Sequence, residues 1–244
     1  MNEQFNIFMK KFNLNDKSIK KKYDHSLRVQ KKCEEIAISK KYNKEKYTLA
    51  SLIGLLHDYG RFYQWDKYKT FTDKDSIDHG DYAVKKLFEE NEIIDFYKNK
   101  NNYIIIYESI KYHNKYEVPK EVQSKEMCNL IRDADKLDIL YMYTIGELEL
   151  KEKGEVSDKV KKIFFSHKLL NSKYIDSEID VTIRTLCLIY DLNFNYSYKY
   201  LKEKQIIEKI FEKTKNKEIL KPYFEEIIKY IERKTGEENV RKEI

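Results

Sequence analysis

The sequence predicts an all-helical protein. Apolar residues recur at helical spacing through most of the 244-residue chain. Gly (6) and Pro (2) are too scarce for the many tight turns of a sandwich or barrel. Charged residues make up 37% of the chain, which suits solvated helix faces, and 14% are aromatic, which sets aside a disordered polymer. The length suffices for one large domain or two small ones.

The elements are expected in the following order. Residues 2–12 place Phe5, Phe8, Met9 and Phe12 at helical spacing. A longer helix runs from about Asp16 to Lys40, with Ile19, Tyr23, Val29, Cys33 and Ile36 as an irregular stripe. The next runs from Lys44 into ASLIGLLHD, with Gly60 as its stop signal. Residues 61–75 lack a clean period and read as a loop rich in aromatics: Phe62, Tyr63, Trp65 and Tyr68. That loop is either a lid that stacks on a base or, as the reading favours, an ordinary aromatic packing segment. A helix starting near Ser76 puts His79, Ala83 and Leu87 on one face, and another over 93–114 aligns Ile106, Ile110 and His113. From about Glu121 to Leu150 the stripe is Met127, Leu130, Ile131, Ala134, Leu137 and Tyr141, and Gly154 marks a break. Residues 155–244 carry further helical patterns, such as TLCLIY (185–190) and IIKYI (227–231), without visible chemistry.

The net charge of +6 arises from 48 basic and 42 acidic residues, largely interspersed. This reads as a mixed solvated surface, with no nucleic-acid interface expected. The excess suits an anionic substrate without arguing for one by itself. Cys33, Cys128 and Cys187 are far apart and form neither a disulfide framework nor a CxxC pair, so a reducing compartment fits. The N-terminus has no apolar core of signal-peptide length, and no run of 18 apolar residues occurs. A cytoplasmic protein without a membrane partner is expected.

Five histidines exist: His25, His57, His79, His113 and His167. Taken singly, each reads as a core or surface residue, and one HD dipeptide is a weak signal. Taken together they read differently. His57 and Asp58 leave the end of a strongly apolar helix, and His79 and His113 lie on apolar faces. Asp133 and Asp135 flank the stripe of the later helix at roughly 100° on either side of Ala134, while Asp138 falls inside it. Buried imidazoles and carboxylates need partners. A metal ion satisfies several of them at once, and carboxylates can bridge two ions.

HSLRV (25–29), LLHDYGR (55–61), SIDHGDYAVKKLF (76–88), IKYHNKY (110–116) and RDADKLD (132–138) give the order H…HD…H…H…D. This set resembles the HD-domain superfamily of metal-dependent phosphohydrolases over roughly residues 20–145. With DLNFNYS (191–197), the motifs are similar to a bacterial subgroup of that superfamily. The resemblance implies an HD-domain core over 1–150 and a C-terminal helical extension over 151–244, packed on the same domain. It implies His25, His57, Asp58 and Asp135 as core metal ligands. His79 and His113 would be the added ligands of the two-metal branch, with Asp58 bridging. Asp135 matches the family's aspartate better than Asp133, although the helix wheel alone does not choose between them, and Asp138 would orient a ligand or the following helix. One or two divalent transition ions (Mn, Fe, Co, Ni or Zn) are implied.

The implied activity is hydrolysis of a nucleotide or other small anionic phosphoester by a metal-bound hydroxide, with Asp58 and Arg61 as catalytic residues. Arg61, three residues after Asp58, is the best candidate for a cation on the phosphoryl group, its other reading being a surface arginine. Arg28, one turn after His25, suits bracing a carboxylate. The sequence departs from the cyclic-di-GMP-cleaving HD-GYP branch, since Asn114-Lys115-Tyr116 follow His113. It departs from the alarmone hydrolases, since Tyr59-Gly60-Arg61-Phe62 follow Asp58 in place of an acidic pair. The alternatives are a di-iron oxygenase of the same superfamily and a non-catalytic metal-binding module. His167, outside the motif set, reads as structural or surface.

Overall fold

The computed structural model describes residues 1–241. Among the described residues the regular elements are all helical, and no strand occurs. The chain divides into two units, Met1–Asp135 and Lys136–Ile244.

In the first unit α1 (Asn2–Met9) buries Phe5, Phe8 and Met9. Phe8 stacks on Tyr59 with ring centres 4.1 Å apart. Helix α2 (Lys17–Ser39) is capped by Asp16, whose carboxylate accepts from the Ser18 amide at 2.8 Å. Helix α3 (Lys44–Leu56) is capped by Asn43 and is buried at every residue from Leu49 to Leu56. A helix apolar on all sides belongs at the centre of a core. Gly54 lets α2 and α3 cross closely, because a Cβ there would lie 2.8 Å from the Gln30 Cα.

Residues 61–75 depart from the expected loop. Helix α4 (Tyr59–Tyr68) begins directly after Asp58, ends at Lys69 in the left-handed conformation (φ 54°), and is followed by a 3-10 turn at Asp73–Asp75. Gly60 is therefore not a stop signal. It is a contact point: a Cβ there would lie 2.3 Å from the His79 carbonyl oxygen and 2.7 Å from the Ala83 nitrogen. Only a residue without a side chain lets α4 approach the backbone of α5 (His79–Val84) this closely. Trp65 packs on Phe71 at 4.8 Å and donates to Asp16 at 2.8 Å, in the manner of a packing residue.

Helix α5 starts three residues later than expected, because Asp78 is its cap, and it runs on into a π-helical turn, Lys85–Glu89. The single helix expected over 93–114 is interrupted. A 3-10 turn at Glu92–Asp95 and an asparagine-rich turn, in which Asn99 accepts from the Asn101 amide, precede α6 (Tyr103–Tyr112). Asparagine side chains compete for backbone groups and break the period. Helix α7 (Lys125–Ile145) starts where Glu108 accepts from the amides of Gln123 and Ser124, and stops at Gly146 with φ 79°.

The second unit is built from the C-terminal part of α7 with α8 (Asp158–Phe165), α9 (Glu178–Cys187), α10 (Asn195–Glu203), α11 (Ile206–Glu212) and α12 (Lys217–Arg241). Its core includes Leu140, Phe164, Ile183, Leu201, Ile210 and Phe224. The expected break at Gly154 is present, with φ 87°. Buried Asp180 closes a capping box with Ser177 and also accepts from Ser157. His167 takes a left-handed conformation and pairs with Glu226 at 2.9 Å, which fits its structural reading.

Candidate metal centre

Six side chains meet in the first unit. His25 comes from the middle of α2, and His57 and Asp58 from the joint between α3 and α4. His79 is the first residue of α5, His113 directly follows α6, and Asp135 lies on α7. The four histidines and Asp58 are all buried. The arrangement follows from local rules: a helix end leaves a side chain free to point across a core, and four of the six helices deliver their ligand at an end.

The hydrogen bonds fix the imidazole tautomers. His57 Nδ1 donates to the Gly54 carbonyl at 2.8 Å, and His113 Nδ1 to the Ile110 carbonyl at 2.6 Å. His79 Nδ1 donates to Asp73 Oδ2 at 2.6 Å. Each of these rings spends its proton outward and turns the lone pair of Nε2 inward. His79 Nε2 and His113 Nε2 then lie 3.1 Å apart with no proton between them, an arrangement that a shared cation makes favourable. His57 Nε2 lies 3.2 Å from His25 Nε2.

Asp58 stands between the two histidine pairs. Its Oδ2 is 3.5 Å from His25 Nε2 and 3.6 Å from His57 Nε2. Its Oδ1 is 3.5 Å from His79 Nε2 and 3.8 Å from His113 Nε2. Asp135 Oδ1 joins the first pair, at 3.1 Å from His25 and 3.7 Å from His57. Ligands 2.0–2.2 Å from one ion stand about 3–3.5 Å apart, so these spacings fit ion-sized gaps. The ligand atoms of His25, His57 and Asp135 lie within 4.8 Å of one another, as do those of His57, Asp58 and His113. Imidazole nitrogens with carboxylate oxygens form a donor set for divalent transition ions.

The electrostatics prepare the same ligands. Burial pushes His57 down to about 3, against the pull of Asp58 and Asp135. Burial likewise lowers His79 to about 4, although the hydrogen bond to Asp73 opposes it. Burial alone would raise Asp58, but Lys22 and the surrounding histidines outweigh it and hold the carboxyl well below the usual range. Asp135 is also lowered, because its bond to His25 outweighs burial. At neutral pH His57 and His79 are therefore neutral and Asp58 and Asp135 ionised, the forms that bind metal.

Of the two aspartates left open by the helix wheel, Asp135 lies 3.1 Å from His25 Nε2, and Asp133 is fully buried. Asp138 is also buried. Arg61 is anchored rather than loose. Its Nη1 donates to Gln64 at 2.8 Å, to Asp73 at 2.7 Å and to the Phe71 carbonyl, while its Nε lies 3.7 Å from Asp58 Oδ1.

Several contributors were not visible in the sequence. Lys22 Nζ donates to Asp58 Oδ2 at 2.7 Å. The only signal for it is its place one turn before His25, which a lysine-rich stretch obscures. Asp73, which orients both His79 and Arg61, sits in a stretch with no period. Arg132 is buried and donates to the carbonyls of Tyr112, His113, Lys115 and Tyr116, closing the end of α6 beside His113. Its charge complements that helix C-terminus.

Fold and site together define an all-helical protein with a buried His/Asp centre suited to divalent metal. Residues 23–140 match the family model of the HD domain, and the His/Asp cluster is compatible with an HD-type metal site. HD domains bind divalent metals and mark a superfamily of metal-dependent, hydrolase-type proteins. No curated protein and no solved structure matches the chain significantly. Among the described residues, no helix is long and apolar enough to cross a membrane.

Proposed function

We propose that the protein is a metal-dependent phosphohydrolase acting on a nucleotide or other small anionic phosphoester. The observation that carries this reading is the position of Asp58, one carboxylate oxygen toward each of two histidine pairs. Divalent ions in such a centre polarise a phosphoryl oxygen and lower the pKa of a bound water. His25, His57, Asp58 and Asp135 would hold one ion, and His79, His113 and Asp58 a second.

The chain's own residues do the rest. The Nδ1 bonds to Gly54, Ile110 and Asp73 lock the rings, so that no reorganisation is needed when ligands are engaged. The buried Nε of Arg61 makes no hydrogen bond, while Nη1 is tethered on three sides. A fixed guanidinium with a donor to spare suits charge that develops on a phosphoryl oxygen. The three cysteines are buried and free, which fits a cytoplasmic site of action.

The test is metal-free protein reloaded with Mn, Fe, Co, Ni or Zn and assayed on a panel of phosphoesters. Phosphate release that depends on the metal and is lost in Asp58→Ala supports the reading. Oxygen uptake on an alcohol substrate, with no phosphoester cleaved under any metal, overturns it.

A further inference from the structure

Asp58 is flanked by two cations, one for each carboxylate oxygen. Lys22 Nζ is 2.7 Å from Oδ2, and Arg61 Nε is 3.7 Å from Oδ1. The two differ in freedom. Arg61 is tied through Nη1 to Gln64, Phe71 and Asp73. Lys22 is a single ammonium on a flexible stem and keeps 21% of its side-chain surface exposed. The exposures also locate open sides of the centre. The histidine side chains are 0–5% exposed and Asp58 is 3%, while Asp135 and Lys22 reach 18% and 21%, and Asp73, beside His79 and Arg61, 30%. Lys22 thus stands at one of the open sides by which an anion reaches the centre.

Phe71 supports both cations. Its ring centre is 5.5 Å from Lys22 Nζ and 5.8 Å from the Arg61 guanidinium carbon. An aromatic face attracts a cation without neutralising it, so Phe71 keeps the ammonium near the centre when it leaves Asp58. Lys22 and an ion of the first set compete for one oxygen, since Oδ2 also faces His25 and His57.

We infer that Lys22 is the substrate-positioning cation of this centre: it neutralises Asp58 when metal is absent, yields Oδ2 to the ion, and then binds the phosphoryl group beside Phe71. The inference rests on the phosphohydrolase reading and adds a residue and an order of events to it. Metal loading frees the cation that the anionic substrate needs, so an anion binds well only to loaded protein. No bond is made or broken by Lys22 in this role. One charge partner is exchanged for another.

Two titrations of the full chain test it, with the wild type, Lys22→Met and Lys22→Arg. In the first, Mn is titrated calorimetrically into metal-free protein. Lys22→Met should bind the first ion more tightly, by about tenfold, because a competing charge-assisted hydrogen bond is gone. In the second, inorganic phosphate is titrated into Mn-loaded protein. Lys22→Met should weaken phosphate binding about tenfold or more, and Lys22→Arg should restore most of it. Opposite movement of the two affinities is a signature that simple damage to the fold does not produce. Loss of both affinities in Lys22→Met, or an unchanged phosphate affinity, overturns the inference and leaves the hydrolase reading standing. Wild-type loaded protein that neither binds phosphate nor cleaves any phosphoester overturns both.

Discussion

His79 and His113 face each other across 3.1 Å through Nε2 atoms that both lack a proton, since each ring has committed its Nδ1 proton elsewhere. Two lone pairs at that distance repel unless a cation lies between them. In the proposed two-ion centre this pair would hold the second ion, together with Asp58 Oδ1. Replacing either histidine with alanine should lower bound metal by up to one equivalent and leave the first set occupied. Elemental analysis of purified variants reads this directly, and unchanged stoichiometry in both would point to a single ion.

Asp73 fixes the tautomer of His79 and the orientation of Arg61 with its two oxygens. Asp73→Asn keeps the shape but weakens the acceptor. Partners that orient metal-binding histidines are worth about 10–100-fold in metal affinity. The expected outcome is a loss of that size for the second ion alone, resolved as one of two steps in a metal titration. Equal weakening of both steps would contradict the assignment.

Gly60 shows how part of this site escapes a sequence reading. The amphipathic stripes, the HD pair and the order of histidines were legible, because helix period and ligand type are local properties. The all-helical fold, the limits of α2 and the start of α3 followed from them; the end of α3 did not, since it stops at Leu56 and not at Gly60. The stretch from Gly60 to Asp78 was not legible, because its structure is set by contacts distant in sequence. Glycine there signals a stop by local rules, yet tertiary packing uses it as the crossing point of α4 and α5. Asp73 and Lys22 were hidden for the same reason, each meaning something only through a partner at least six residues away.

Gly60→Ala should accordingly be costly. The added methyl would meet backbone atoms of His79 and Ala83, which cannot turn aside as a side chain would. Overpacking of this kind costs about 1–3 kcal/mol. Urea denaturation should show the loss, together with weaker metal binding, because His79 must shift with the backbone. A variant as stable as the wild type would show that α4 and α5 separate without strain.

The metal-free protein should lose stability as pH falls from neutral. His57 and His79 titrate at about 3 and 4 in the folded chain, below the ordinary histidine value near 6.5. Below pH 6.5 the unfolded chain takes up protons that the folded chain refuses, so the free energy of unfolding declines. The decline continues toward pH 4 and then 3, at up to about 1.4 kcal/mol per pH unit for each proton. The lowered Asp58 and Asp135 extend it, since their contribution is present above the usual carboxylate pKa and is lost as pH falls through their lower folded values. Urea midpoints between pH 8 and 4 should be flat above 6.5 and fall below it. Midpoints that do not change from pH 7 to 4.5 would mean the histidines are not buried neutral.

The central claim is a two-ion centre bridged by Asp58, and anomalous diffraction from Mn-soaked crystals tests it most directly. The account predicts two peaks roughly 3.5–4 Å apart. One should be ligated by His25, His57 and Asp135 and the other by His79 and His113, with an Asp58 oxygen on each. A single peak, or peaks away from these six side chains, would contradict it.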